Sequence, residues 1–111
     1  MRAFKIMKRS DRDNAWRTLF HGVDGDRNIP CDKWVDSCCS WVRDGSGGTY
    51  YTSGWHVLPS YQDALKYMQN FKTHDDKVIV ECEVKNYRKK THARSPVFLA
   101  DSIKLGRAVT A

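Results

Sequence analysis

The sequence predicts an α+β domain: a largely antiparallel sheet of about five or six strands packed by one principal helix over residues 60–71. Two observations carry this. Val78, Val80, Cys82 and Val84 alternate with Ile79, Glu81 and Glu83, the period-two pattern of a strand with one face buried and the other partly wet. Ahead of that run, Tyr61, Ala64, Leu65, Met68 and Phe71 recur at helical spacing. Ser60 suits the N-cap, where its hydroxyl can accept from a free first-turn N–H. Asp63, three residues on, completes a variant capping box at the positive helix end.

The remaining elements read as follows. Residues 2–9 place Phe4 and Ile6 on one face and Lys5 on the other, a strand. Asp11-Arg12-Asp13-Asn14 is a turn, and Trp16, Thr18 and Phe20 alternate into a second strand, so a hairpin is expected. Gly22 to Asn28 reads as a polar loop ending at Pro30. Residues 33–43 fit either a helix or an extended segment, and Pro30, Asp36 and Ser37 favour the extended form. Asp44-Gly45-Ser46-Gly47-Gly48 is a hairpin turn, and Thr49 to Thr52 returns to strand, followed by Ser53-Gly54-Trp55-His56-Val57-Leu58. After Val84 comes a basic loop, then a strand at Val97-Phe98-Leu99-Ala100, a last short strand around Ile103 and Leu105, and a frayed tail at 106–111.

With 111 residues, the chain has material for a single domain with a single core. A hydrophobic content of 41% argues against disorder. No run approaches the roughly 18 apolar residues of a membrane span. No apolar stretch follows Met1-Arg2-Ala3, so a cytoplasmic location is the expectation. Cys31, Cys38, Cys39 and Cys82 are read as reduced thiols, because nothing marks a secretory context. Their spacing and the scattered His21, His56, His74 and His92 do not suit a zinc site, so no metal is expected. Asp24-Gly25-Asp26 lacks the ligands of a calcium loop, and the Gly-rich turn lacks the Gly-Lys-Ser/Thr ending of a phosphate loop.

Three constellations are candidates for function. The net charge is +6, and residues 85–94 hold its one dense cluster: Lys85, Arg88, Lys89, Lys90 and Arg94, with Tyr87 and His92 interleaved. Cations of this kind release counterions from phosphates, and rings between them can stack on bases; a solvated loop between two strands is the plain alternative. The tryptophans Trp16, Trp34, Trp41 and Trp55 are mostly core candidates, with one or two left to anchor a partner. A cleft of His21, His56, Glu81 and Glu83 could support acid–base chemistry. Its plain alternative is that both glutamates face solvent. No nucleophile elbow, triad spacing or HExxH is present.

Two resemblances add to this. Thr18-Leu19-Phe20-His21-Gly22, Lys33-Trp34, Val42 to Gly48, Tyr51-x-Ser53-Gly54-Trp55-His56-Val57, Ala64 with Tyr67, and Val97-x-Leu99-Ala100-Asp101-x-Ile103 resemble small uncharacterised proteins of bacteriophages and prophages. That implies an accessory protein acting by binding a host protein or nucleic acid, without a cofactor. The order of Leu19-Phe20-His21-Gly22, Gly54-Trp55-His56-Val57 and the Ser60, Ala64, Tyr67 helix is similar to ADP-ribosyltransferases of the poly(ADP-ribose) polymerase type. This second resemblance implies, as an alternative, an enzyme using NAD, with His21 and Tyr67 as NAD-binding residues; the catalytic carboxylates of that alternative, Glu81 and Glu83, come from the cleft above and not from the resemblance. In that family the catalytic Glu lies on a later strand, where residues 97–105 offer only Asp101.

Overall fold

The chain was analysed as a computed structural model that describes residues 1–10, 14–19, 28–37, 41–43, 50–52, 54–71, 76–90 and 96–109, with 41–43 and 50–52 described in backbone only. In chain order the elements are β1 (Arg2–Arg9), β2 (Ala15–Arg17), β3 (Asn28–Pro30), β4 (Trp34–Asp36), β5 (Trp41–Arg43), β6 (Tyr50–Thr52), β7 (Trp55–Val57), α1 (Tyr61–Met68), β8 (Lys77–Lys89) and β9 (Phe98–Val109). The expected α+β architecture with a principal helix is overturned. Among the described residues strands dominate and the one helix spans 8 residues, and the sheet curls into a nearly closed barrel.

The barrel is built on the β8–β9 hairpin, whose strands run 13 and 12 residues. β1 pairs with the outer edge of β8, and the path continues through β2 to β3. On its other edge β9 takes β7 at Phe98–Ala100 and β4 at Ser102–Lys104. The two flanks then meet. Phe4 N–H donates to the Leu58 carbonyl at 2.8 Å, and Leu58 N–H donates to the Phe4 carbonyl at 2.7 Å. At the other end Asp32 N–H donates to Leu105 O at 2.8 Å. β5 and β6 form a separate antiparallel pair; the expected turn at 44–48 lies outside the described residues.

Alternation sorts the side chains into two cores. Ala3, Met7, Ile29, Trp55, Val57, Val80, Cys82, Val84, Ala100, Ile103 and Leu105 fill the barrel interior. Phe4, Ile6, Leu58, Ala64, Ile79 and Val97 form an outer layer covered by α1 through Tyr61, Tyr67 and Met68. The cap is as the sequence implies: Asp63 N–H donates to Ser60 Oγ at 3.1 Å, and Ser60 Oγ donates to Asp63 Oδ2 at 2.7 Å. The helix ends at Met68 and not at residue 71: Gln69 to Phe71 continue as tight turns with i→i−3 hydrogen bonds, and Phe71 still packs against the outer layer. Among the described residues, no helix is long and apolar enough to cross a membrane.

Three expectations along the chain are also corrected. The basic stretch 85–89 is not a loop but the second half of β8, paired with β9 to Lys89↔Phe98. The supposed tail at 106–109 is the end of β9, paired as far as Ile79↔Val109. Asn28–Pro30, expected as the end of a loop, is a strand on β2. In each case a polar or irregular stretch is held extended by pairing with a neighbouring strand, which outweighs its weak local preference.

Two irregularities let the long hairpin curl. Between Val80 and Cys82 the register on β9 moves from Ala108 to Leu105, so β9 carries an extra residue, a β-bulge. Gly106 sits in it because a Cβ there would lie 2.9 Å from the Glu81 carbonyl oxygen. Its own carbonyl accepts from Trp16 Nε1 at 3.0 Å, which ties β2 to the bulge. The second irregularity is Asn86, at φ 53, in the left-handed region that Asn tolerates better than most residues.

Gly106→Ala is therefore expected to destabilise the fold by about 1–3 kcal/mol, since backbone must yield to the new methyl. Urea unfolding followed by circular dichroism measures it. An unchanged midpoint would show that the bulge has slack.

Candidate functional site

The basic half of β8 does not form one patch. Val84 and Ile103 face the interior as a cross-strand pair, yet Ala100, three residues from Ile103, also faces it. An odd separation requires a change of phase, and the pairing gap at Asn86 provides it. Lys85, before the gap, projects outward beside Ser102. Past the gap, Tyr87 and Lys89 share a face with Ala100 and Phe98. Tyr87 meets Phe98 edge-on at 6.0 Å between ring centroids. Arg88 turns to the opposite face, where Nη1 donates to Asp101 Oδ1 at 2.9 Å. Lys90 lies near His56. His92 and Arg94 are outside the described residues.

What Lys85 joins is an aromatic that the sequence left unassigned. β4 pairs with β9 so that Val35 faces the interior with Ile103, and Trp34 and Asp36 face out. Trp34 remains 39% exposed. The Lys85 ammonium lies 3.9 Å from its ring centroid and the Lys104 ammonium 5.7 Å. Carboxylates border this group: Asp36 accepts from Ser102 Oγ at 2.6 Å, and Glu83 lies 3.9 Å from Lys104 Nζ. Lys104 and Trp34 were legible in principle, since each alternates with an apolar neighbour (Ile103 and Leu105, or Val35) that marks the inward phase. The other described indoles are engaged in structure, with Trp16 bonded to Gly106 O and Trp55 Nε1 donating to Val35 O at 3.0 Å. The side chain of Trp41 lies outside the description.

Of the described residues of the enzymatic reading, Tyr67 lines a recess whose lining includes neither Glu81 nor Glu83. Glu81 Oε1 accepts from Arg2 Nε at 2.8 Å on the outer face, and Glu83 is exposed. Tyr67 lines a small recess with Ile6, Leu19, His56, Val57, Leu58 and Val97. At about 30 Å³ this recess has room for a water or two, not for a nicotinamide. His21 lies outside the described residues.

The strongest electrostatic perturbations surround this recess and the barrel interior. Burial pushes His56 down to about 3, helped by the Lys5 and Lys90 ammoniums and opposed by its bond to the Gly54 backbone. Lys5 is only half-buried as a residue, but its ammonium is desolvated among interior groups and its pKa falls to about 8. It donates to the His56 carbonyl at 2.9 Å and lies 5.9 Å from the Trp55 ring centroid. Burial raises the Cys82 thiol to about 12, with Lys5 opposing. Cys82 and Cys31 are free thiols.

Comparison with protein-family models, with curated proteins and with solved structures finds no match for this chain.

The His56 shift fixes a pH dependence. The unfolded chain takes up the imidazole proton near pH 6.5 while the folded chain resists until about 3, so stability is present above 6.5 and is lost as the pH falls. His56→Gln is expected to flatten the part of this loss above about pH 5, where ordinary carboxylates are still ionised. Thermal unfolding across that range checks it; an unaltered slope would place the acid sensitivity elsewhere.

Proposed function

We propose that this chain is a small phage-type accessory protein that acts by binding, without catalysis, and that its partner is nucleic acid. The observation that carries the reading is the exposed Trp34 ring flanked by the Lys85 and Lys104 ammoniums, in a chain of net charge +6. Lysines on an open face attract phosphates by counterion release, and an exposed indole adds contact area that does not depend on charge. An acidic protein surface would satisfy the lysines equally; every base, however, presents a planar face to the ring. Past Asn86, Tyr87 and Lys89 lie on the face of Phe98 and not on this one. The NAD reading is weaker: among the described residues, Tyr67 has His56 and apolar neighbours around it and no carboxylate.

Binding of a labelled mixed-sequence oligonucleotide, followed by fluorescence anisotropy, tests the proposal. Affinity should fall with salt at a log–log slope of about −1.5, as expected for two phosphate contacts. Lys85→Glu with Lys104→Glu should remove binding and leave the circular dichroism spectrum unchanged. Salt-insensitive binding, or full affinity in the double variant, would reject this face as the interface.

A further inference from the structure

We infer that the Trp34 face selects single-stranded over duplex nucleic acid, with one base stacked on the indole and Lys85 and Lys104 meeting the adjacent phosphates. The inference rests on the nucleic-acid reading above and deepens it.

Four observations point to it. First, the ring is accessible. Trp34 is 39% exposed, and β4 is the last strand on its side of the sheet path among the described residues. Second, the Lys85 ammonium at 3.9 Å occupies a position over the ring that a base would take. That exchange is favourable, because stacking of a base on an indole outweighs an exposed cation–π contact. The displaced ammonium, on its flexible stem, then becomes available to the phosphate beside that base.

Third, the charges around the ring suit a short backbone segment and not a double helix. Lys85 and Lys104 lie at the ring, but Asp36 and Glu83 lie on the same face. A duplex keeps its bases stacked inward and presents two rigid rows of phosphates. Its second row would meet these carboxylates, and the indole would find no free base to cover. A single strand can turn its phosphates toward the lysines and still offer a base. Fourth, the element that could enter a major groove is used elsewhere. α1 is packed over Phe4, Ile6 and Leu58, and Lys66 is the one basic residue in it.

The test uses the full chain and two fluorescein-labelled probes of about 12 nucleotides, a length within the usual range of single-strand sites: an oligo-dT strand and a mixed-sequence duplex. The expected result is at least about tenfold tighter binding of the single strand, with quenching of indole emission on its addition. Trp34→Ala should weaken single-strand binding by about 10- to 100-fold and leave duplex binding nearly unchanged. Trp34→Phe should recover much of the loss, which separates the ring's contribution from any effect on folding. Equal affinity for both probes, or a Trp34→Ala variant that binds oligo-dT like the wild type, overturns the stacking inference and leaves the nucleic-acid reading standing. Binding of neither probe overturns both.

Discussion

The reciprocal hydrogen bonds between Phe4 and Leu58, 2.8 and 2.7 Å long, are the constraint on which the rest of the structure depends. They join β1 to the end of β7 and so connect the two flanks of the β8–β9 hairpin. Without them, both flanks would present unpaired peptide groups at open edges, and Ala3, Met7, Val57 and Val80 would lose their enclosure. The same junction sets the helix. Pro59 and the Ser60 cap follow Leu58 directly, so α1 starts where the barrel closes and lies on Phe4, Leu58 and Ile79. A helix in this position covers the outside of a barrel wall; it does not organise the fold.

Curling a 13-residue and a 12-residue strand into that closure requires breaks in alternation, and these breaks decide the surface. The bulge at Gly106 and the left-handed Asn86 let the hairpin coil. Asn86 also divides the basic stretch. Lys85 goes to Trp34, Arg88 to Asp101, and Tyr87 with Lys89 to the face of Phe98. Charge density along the chain therefore overstates charge density on any one face. The face with an exposed ring owes its second lysine to Lys104, which is remote from the cluster in sequence.

Much of the local structure was legible in the sequence. Alternation in β1 and in the first half of β8, the Ser60–Asp63 cap and the β1–β2 hairpin all follow from nearest-neighbour chemistry. The architecture was less so, because it is set by pairings between distant residues. Nothing local tells Lys85–Lys89 or Gly106–Val109 that a partner strand will hold them extended. Closure, too, depends on one residue pair separated by most of the chain's first half. The same limit applies to the Trp34 face: the cluster at 85–94 was visible, but the meeting of Lys85 and Lys104 at Trp34 depends on the β4–β9 and β8–β9 registers.

The interior and the outer face are electrostatically separate, and this bears on function. Burial drives three titratable groups toward their neutral forms: Lys5 down to about 8 and Cys82 up to about 12 in the barrel, and His56 down to about 3 at the recess beneath the outer layer. They are coupled to one another, since Lys5 lowers both His56 and Cys82. The Lys5 ammonium is spent on a backbone carbonyl and the Trp55 ring, so it contributes little to the field outside. Lys85 and Lys104 stand on the outer face beside the Trp34 ring, with Glu83 at a loose 3.9 Å from Lys104. Exposed contacts of this kind add little to stability. The Trp34 face is thus separate from the Phe4–Leu58 closure, and its charges can be altered without disturbing that closure.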